Sequence, residues 1–338
     1  VTGLQGRVGE LICALQFIGL QRIGVGMKRL GLILLLVLQG VAIPARLMAA
    51  PVLEVQSSFV IPPHTVNGIK IAELSGLAWD KDEQLLYALS DKGHIFHFRL
   101  ELEENRMVAA EPLYAANLTD TAGEQVKKGR RDSEGLTLLN ATNGKRGDTQ
   151  LVVSFEGDPR IIRFTPEGRA IKNIKLPTAL RDRSAYQHGN ESLESVTFHP
   201  RYGFITAPEQ PLKGQPPNLH TLYSTKGQRW SFMAYPAKNS GISGLETLPN
   251  GNLLILERAW SGILNPLVVS LRYLDFKQCS KAGACEVQNL KVLSNYLLVD
   301  NFEGLTYLQG NQYLMVSDDA DEEFLSTKLM LFTLDEGT

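Results

Sequence analysis

Cysteine is scarce: only Cys13, Cys279 and Cys285 occur in 338 residues, too few for a disulfide-built miniature scaffold or a thiolate zinc site. No apolar run reaches the roughly 20 residues that a bilayer-spanning helix needs. The longest, Leu30–Ala42, has thirteen. Charge of one sign is also lacking. The formal net charge is −2, and beyond residue 50 there are 29 basic against 35 acidic residues, a net −6, which argues against a nucleic-acid partner. There is no Gly-x-Ser-x-Gly elbow, no His-Glu-x-x-His, no phosphate loop and no dinucleotide fingerprint. The usual serine esterases, zinc proteases, P-loop enzymes and Rossmann oxidoreductases are thereby set aside. Disorder is excluded by 43% hydrophobic and 8% aromatic content.

What is present begins with an export pattern. Met27-Lys28-Arg29 precedes the apolar run, which leads to Pro44 and the small pair Ala49-Ala50, so residues 27–50 read as a signal peptide, with an uncleaved anchor as the alternative, and residues 1–26 as an over-extended start. The mature chain, 51–338, is then expected to be periplasmic or secreted, without a stable membrane span. Cys279 and Cys285, in the loop-like segment CSKAGAC, suit a small loop disulfide in an oxidising compartment.

Internal repetition is the strongest signal. LSGLAW from Leu74, SEGLTLL from Ser133, LESVTF from Leu193, ISGLET from Ile242 and FEGLTYL from Phe302 align Gly76, Gly135, Ser195, Gly244 and Gly304 at spacings of 59, 60, 49 and 60 residues. Each motif is followed by an apolar strand ending in an acid: Asp91, Glu156, Glu209, Glu257 and Asp318. Third and fourth strand-like segments follow in most units. Four strands per repeat without helical patterning predict an all-β propeller. Five blades are expected, with six as the alternative if a degenerate blade hides in a loop. The last unit supplies only three strands, so VLEVQSSFVIP near the N-terminus is expected to close the ring.

A propeller brings equivalent residues together around one axis, so a repeated acid becomes a charge cluster. Glu134, Glu194 and Glu303 immediately precede the small residue, with Ser75 and Ser243 at the same place in the other units. Together with Glu156, Glu209, Glu257 and Asp318 they form the candidate metal-ligand set, because crowded carboxylates raise one another's pKa unless a cation intervenes. Calcium suits an all-oxygen set. The segment Ser317–Glu323 adds carboxylates, either to this site or as a solvated acidic loop. Arg160 and Arg258 stand beside strand-end acids, placed either to screen an oxyanion or merely to pair with those acids. The three tryptophans are expected to pack between blades, although Trp260, two residues beyond Arg258, is also placed to floor a pocket. His188, in a polar loop, is placed to reach the channel mouth, with an ordinary surface residue as the alternative.

These residues resemble the phytase-like propeller family known for "esterase-like activity of phytase", through the repeated Ser/Glu-Gly-Leu motif, FEGDPRIIRF and the closing FEGLTYL…LMVSDD. DSEGLTLL is also similar to an element of the calcium-dependent alkaline β-propeller phytases. The resemblance implies a metal-dependent phosphoester hydrolase in which Glu134 and Glu303 match the family motif, and Arg160 and Arg258 are read as charge-stabilising catalytic partners. The expected form is a monomer acting on a small phosphoester or other ester. A non-catalytic ligand- or protein-binding envelope propeller and a calcium-dependent lactonase or esterase are the alternatives.

Overall fold

The recurring apolar runs are short, rich in Leu, Val, Ile and Phe, and punctuated by turn residues. In the computed structural model, which describes residues 50–189, 192–262, 265–295, 300–320 and 326–336, they become five four-stranded sheets. The first blade comprises Leu74–Asp80, Leu85–Ser90, His94–Glu103 and Arg106–Asn117. The second comprises Ser133–Leu139, Gln150–Phe155, Arg160–Phe164 and Ala170–Ile174. The third is built from Leu193–His199, Gly203–Pro208, Leu219–Ser224 and Arg229–Met233. Ser240–Thr247, Leu253–Ala259, Leu267–Leu274 and Val287–Asn295 make the fourth. Asn301–Gln309, Gln312–Asp318 and Lys328–Asp335 make three strands of the fifth. Its outer strand is Val52–Val60, paired antiparallel with Lys328–Asp335. The expected N-terminal closure is therefore realised, and the blade count is five. The start segment and all but the last residue of the export signal fall in residues 1–49, outside the described residues, as does the 321–323 part of the acidic segment.

The innermost strands touch in sequence, first to second and onward until the fifth meets the first. Apolar side chains fill the seams between blades. Leu77, Phe96 and Leu314 pack between the first and fifth, and Tyr87, Leu136 and Phe155 between the first and second. Such burial is worth about 25 cal/mol per Å² of apolar surface and is the main force holding the ring closed.

One irregularity recurs in every blade. The register between the first and second strands slips at the repeated motif, between Leu74 and Gly76, Ser133 and Leu136, Leu193 and Ser195, Ile242 and Gly244, and Phe302 and Gly304. A bulge of this kind leaves a residue unpaired and re-aims its side chain. The residues skipped are Ser75, Glu134 with Gly135, Glu194, Ser243 and Glu303.

The small residue beside each bulge answers a crowding problem on the axis. A Cβ on Gly304 would lie 2.9 Å from Gly76 Cα, and one on Gly135 would lie 2.5 Å from Val196 N, so inner-strand backbones meet directly. The space left at this level is about 10 Å³, at or below what one water requires. The axis is plugged here, leaving separate recesses at the two ends.

Cys279 and Cys285 form a disulfide. Its loop lies along the outer strand of the third blade, where Ser231 N donates to Gly283 O at 2.7 Å and Cys285 N to Ser231 O at 2.8 Å. The loop thereby covers an otherwise open sheet edge. No helix among the described residues is long and apolar enough to cross a membrane.

Candidate functional site

At the end of the ring where the bulged acids emerge, the repeats deliver carboxyl groups from several blades to one place. Oxygens of Asp132, Glu134 and Glu156 all lie within 4.8 Å of one another, and so do oxygens of Glu156, Glu194 and Glu209. Glu156 belongs to both groups. Its Oε1 accepts from Ser192 N at 3.0 Å, which aims it between the second and third blades.

Burial is the main cause of a strong upward pKa shift at Glu134, reinforced by Glu303, Glu156 and Asp132. Glu194 is raised well above the usual range in the same way, with Glu134 and Glu209 adding to burial, and it keeps the proton in a hydrogen bond to Glu156. Burial pushes Glu156 and Glu303 up to about 7 and Asp91 up to about 6. Asp318 is also raised by burial.

Arg258 is the cation of this assembly. It donates to Glu303 Oε1, and to Glu209 Oε1 and Asn301 Oδ1 at 3.2 Å each. Burial opposes its charge, yet Glu303, Glu209 and Glu194 outweigh that cost and hold the guanidinium protonated more firmly than usual. Asn301 returns the contact, its Nδ2 donating to Glu303 Oε1 at 2.9 Å and Asp318 Oδ2 at 3.2 Å. Glu134, Glu156, Glu194, Glu209, Glu303 and Asp318 thus share one neighbourhood, although they come from different blades.

Glu257 does not join them. It is fully buried, paired with Arg272 at 2.5 Å, and accepts from Tyr235 N at 2.7 Å and Ser240 Oγ at 2.9 Å. Adjacent residues of a strand face opposite sides, so placing Arg258 at the site turns Glu257 into the sheet-to-sheet seam. The sequence grouping that put Glu257 with the channel acids is corrected accordingly. Arg160 also stands apart: it lies 4.0 Å over the Phe155 ring and 3.8 Å from Asp158, donates to the Arg130 carbonyl, and is lowered by burial to about 10. Arg130 and Arg183 approach the same Asp158, at 2.5 and 3.8 Å.

Beside Arg258 opens a cleft of about 680 Å³, lined by His188, Glu209, Asn239, Trp260 and Asn301 among others. His188 reaches this mouth, as its loop suggested. Trp230 is buried against Tyr202 and Phe276, each with ring centroids 4.7 Å away, and Trp79 packs on the seam between the first and fifth blades. Trp260 is 61% exposed, so the core expectation fails for it and the pocket alternative stands.

Sequence reasoning did not single out two participants, Asp132 and Asn301, which both stand three residues before the aligned glycine, as Glu73 does in the first repeat. It also missed Glu246, at the opposite end. There Glu246 Oε1 accepts from Tyr307 N at 3.0 Å, and burial pushes its pKa up to about 8. A separate recess of about 460 Å³ opens at that end.

A five-bladed propeller with an acid-lined, axially plugged recess is the class that fold and site define. Among solved structures, the PQQ-bound aldose sugar dehydrogenase from Streptomyces coelicolor is similar at 10% identity and a TM-score of 0.45, covering 82% of this chain and 98% of that one. A glucose dehydrogenase-type oxidoreductase from Thermus thermophilus gives 12% identity and 0.43, covering 82% and 99%. The Dos1 propeller gives 11% and 0.36, covering 77% and 68%. No curated protein matches the chain. The phytase-like family model, described as esterase-like activity of phytase, matches residues 69–321, and the chain belongs to that family.

Proposed function

We propose that the chain is an exported, divalent-cation-dependent hydrolase of small phosphoesters, acting at the acidic end of the propeller. The observation that carries this reading is Glu156, shared by two carboxylate triads and adjoining a cleft whose cation is Arg258. The donor set fits a hard cation: all oxygen, brought together by buried strand ends, and so crowded that without positive charge several members must keep protons. Asp132, Glu134, Glu156, Glu194 and Glu209 would hold the ion, with calcium the best match. A hard divalent ion in such a set supplies Lewis-acid charge and makes water a stronger acid.

The chain's own residues have defined tasks. Arg258, fixed by Glu303 and Glu209, presents its guanidinium to the cleft and orients an anionic ester group. Glu303 holds or releases a proton near neutrality on the oxygen that Arg258 and Asn301 leave free, since both donate to Oε1. The plugged axis keeps water from entering the site from behind. The Cys279–Cys285 disulfide supports an oxidising compartment.

The test is phosphate release from an aryl phosphate, run beside lactone and carboxylester opening, each with chelator and with restored calcium. Phosphate release abolished by chelation and restored by calcium supports the reading. Lactone or carboxylester opening alone moves the chemistry to another ester, and full phosphatase activity after exhaustive chelation removes the cation from it.

A further inference from the structure

Resting on that reading, and refining its substrate, we propose that the cleft beside Arg258 selects an ester carrying one anionic group and a flat ring, with the ring seated on the Trp260 indole.

Arg258 is the next-to-last residue of the strand Leu253–Ala259, and Trp260 immediately follows that strand. Side chains two apart along an extended chain project to the same side, about 7 Å from one another. The pair therefore offers a charged group and an aromatic surface on one wall, for an anionic group and a ring held together in one ligand. Both line the same 680 Å³ cleft.

Trp260 is 61% exposed, whereas Trp230 is 7% exposed and surrounded by aromatic rings. An indole left open beside a recess offers a stacking surface. Its backbone is tied down, since Asn239 Nδ2 donates to Trp260 O at 3.3 Å. Leu267 and the amides of Gln210 and Asn239 complete the wall, suiting a neutral ring with a few polar edges.

Charge sets the other half of the selection. Arg258 is the only Lys or Arg among the described residues lining this cleft, and it already serves Glu209 and Glu303. A second or third phosphoryl group on the same ligand would lie beyond the reach of Arg258 and toward Asp318, which Asn301 holds, with no further Lys or Arg among those lining residues to receive it. A ligand with a single anionic group needs no such second partner.

The experiment uses the full chain in calcium buffer and three non-hydrolysed or slowly hydrolysed probes: phenylphosphonate, methylphosphonate and inositol hexakisphosphate, with affinities from calorimetry. Phenylphosphonate is expected to bind about tenfold more tightly than methylphosphonate, as one ring-on-aromatic contact allows, and more tightly than the hexakisphosphate. Trp260→Ala should erase the difference between the two phosphonates and Trp260→Phe should keep most of it. Both variants should melt with the parent, since the side chain is exposed. Equal binding of the two phosphonates, tighter binding of the hexakisphosphate, no binding of phenylphosphonate, or a ring preference that survives Trp260→Ala overturns the inference. Ring-selective binding with no phosphate release from phenyl phosphate would leave this selection standing and remove the hydrolase reading. Phosphate release indifferent to the ring would do the reverse.

Discussion

Glu257 and Arg258 are consecutive residues with opposite duties: Glu257 is sealed in a seam against Arg272, while Arg258 reaches the acidic recess and joins Glu303 to Glu209. The pleat of one strand thus separates a sealed ion pair from one that faces the cleft.

Substitutions at these neighbours should fail in different ways. Glu257→Ala leaves Arg272 buried without its carboxylate, and removing one partner of a buried pair costs about 3–5 kcal/mol. The variant should lose that much stability in urea titration. Arg258→Ala should instead cut ester turnover by about 100-fold, the scale for removing a preorganised charge from a forming oxyanion, while cooperative unfolding is retained. An Arg258→Ala variant with parental turnover would show that the guanidinium only pairs with its carboxylates.

The axial plug makes a second prediction. A methyl group added at Gly135 would fall 2.5 Å from Val196 N and 2.7 Å from Ser195 Cα, atoms that cannot rotate away. Gly135→Ala should therefore cost about 3 kcal/mol, the upper range for overpacking. Gly144→Ala, where nothing lies within 4 Å but φ is +79°, should cost about 1 kcal/mol through backbone strain alone. Thermal melts of the two variants should preserve that order.

Much of the ring was legible because a propeller repeats its solution. The spacing of Gly76, Gly135, Ser195, Gly244 and Gly304 located the innermost strands, and the incomplete last repeat called for a strand from the N-terminus. The bulges were not legible: an extra residue in one strand leaves no mark in composition, yet it is what aims Glu134, Glu194 and Glu303 at the axis. Glu257 was misplaced because strand-end acids were aligned by position, and a shift of one residue reverses the face. Asn301 occupies the repeat position of Glu73 and Asp132 but is no acid, and Trp260 carried no repeat signal; the fold brings both to the mouth of the cleft.

Glu246 offers a probe of the opposite end. Its folded pKa, near 8, lies above the ordinary carboxyl value of 4.5, so the folded protein holds this proton more tightly than the unfolded chain. Stability from this group is fully present below about pH 4.5 and is lost as pH rises through about 8. Glu246→Gln keeps an acceptor for Tyr307 N and removes the titration. It should match the parent at pH 4.5 and exceed it by about 2 kcal/mol at pH 9, discounting for partial exposure. A constant difference across that range would count against the burial of the charged form.

The acidic recess should show the same sign without a cation and a changed one with it. Glu156 and Glu303 near 7, Asp91 near 6, and Glu134 and Glu194, raised well above the ordinary carboxyl range by burial and by neighbouring carboxylates, all have folded values above their unfolded ones. After chelation, stability should therefore be greatest near pH 5 and fall as pH rises through about 7, because the folded state is forced to hold several adjacent negative charges. Calcium competes with those protons. Its affinity should strengthen as pH rises over the same interval, its binding should release protons, and at pH 8 it should raise the melting temperature by several degrees, about 1 kcal/mol for each 2–4 °C in a domain of this size. Calorimetry of calcium binding at pH 8 in two buffers of different ionisation enthalpy measures the proton release directly. Identical heats in both buffers, or a melting temperature indifferent to calcium, would mean that protons alone resolve the crowding among these carboxyl groups.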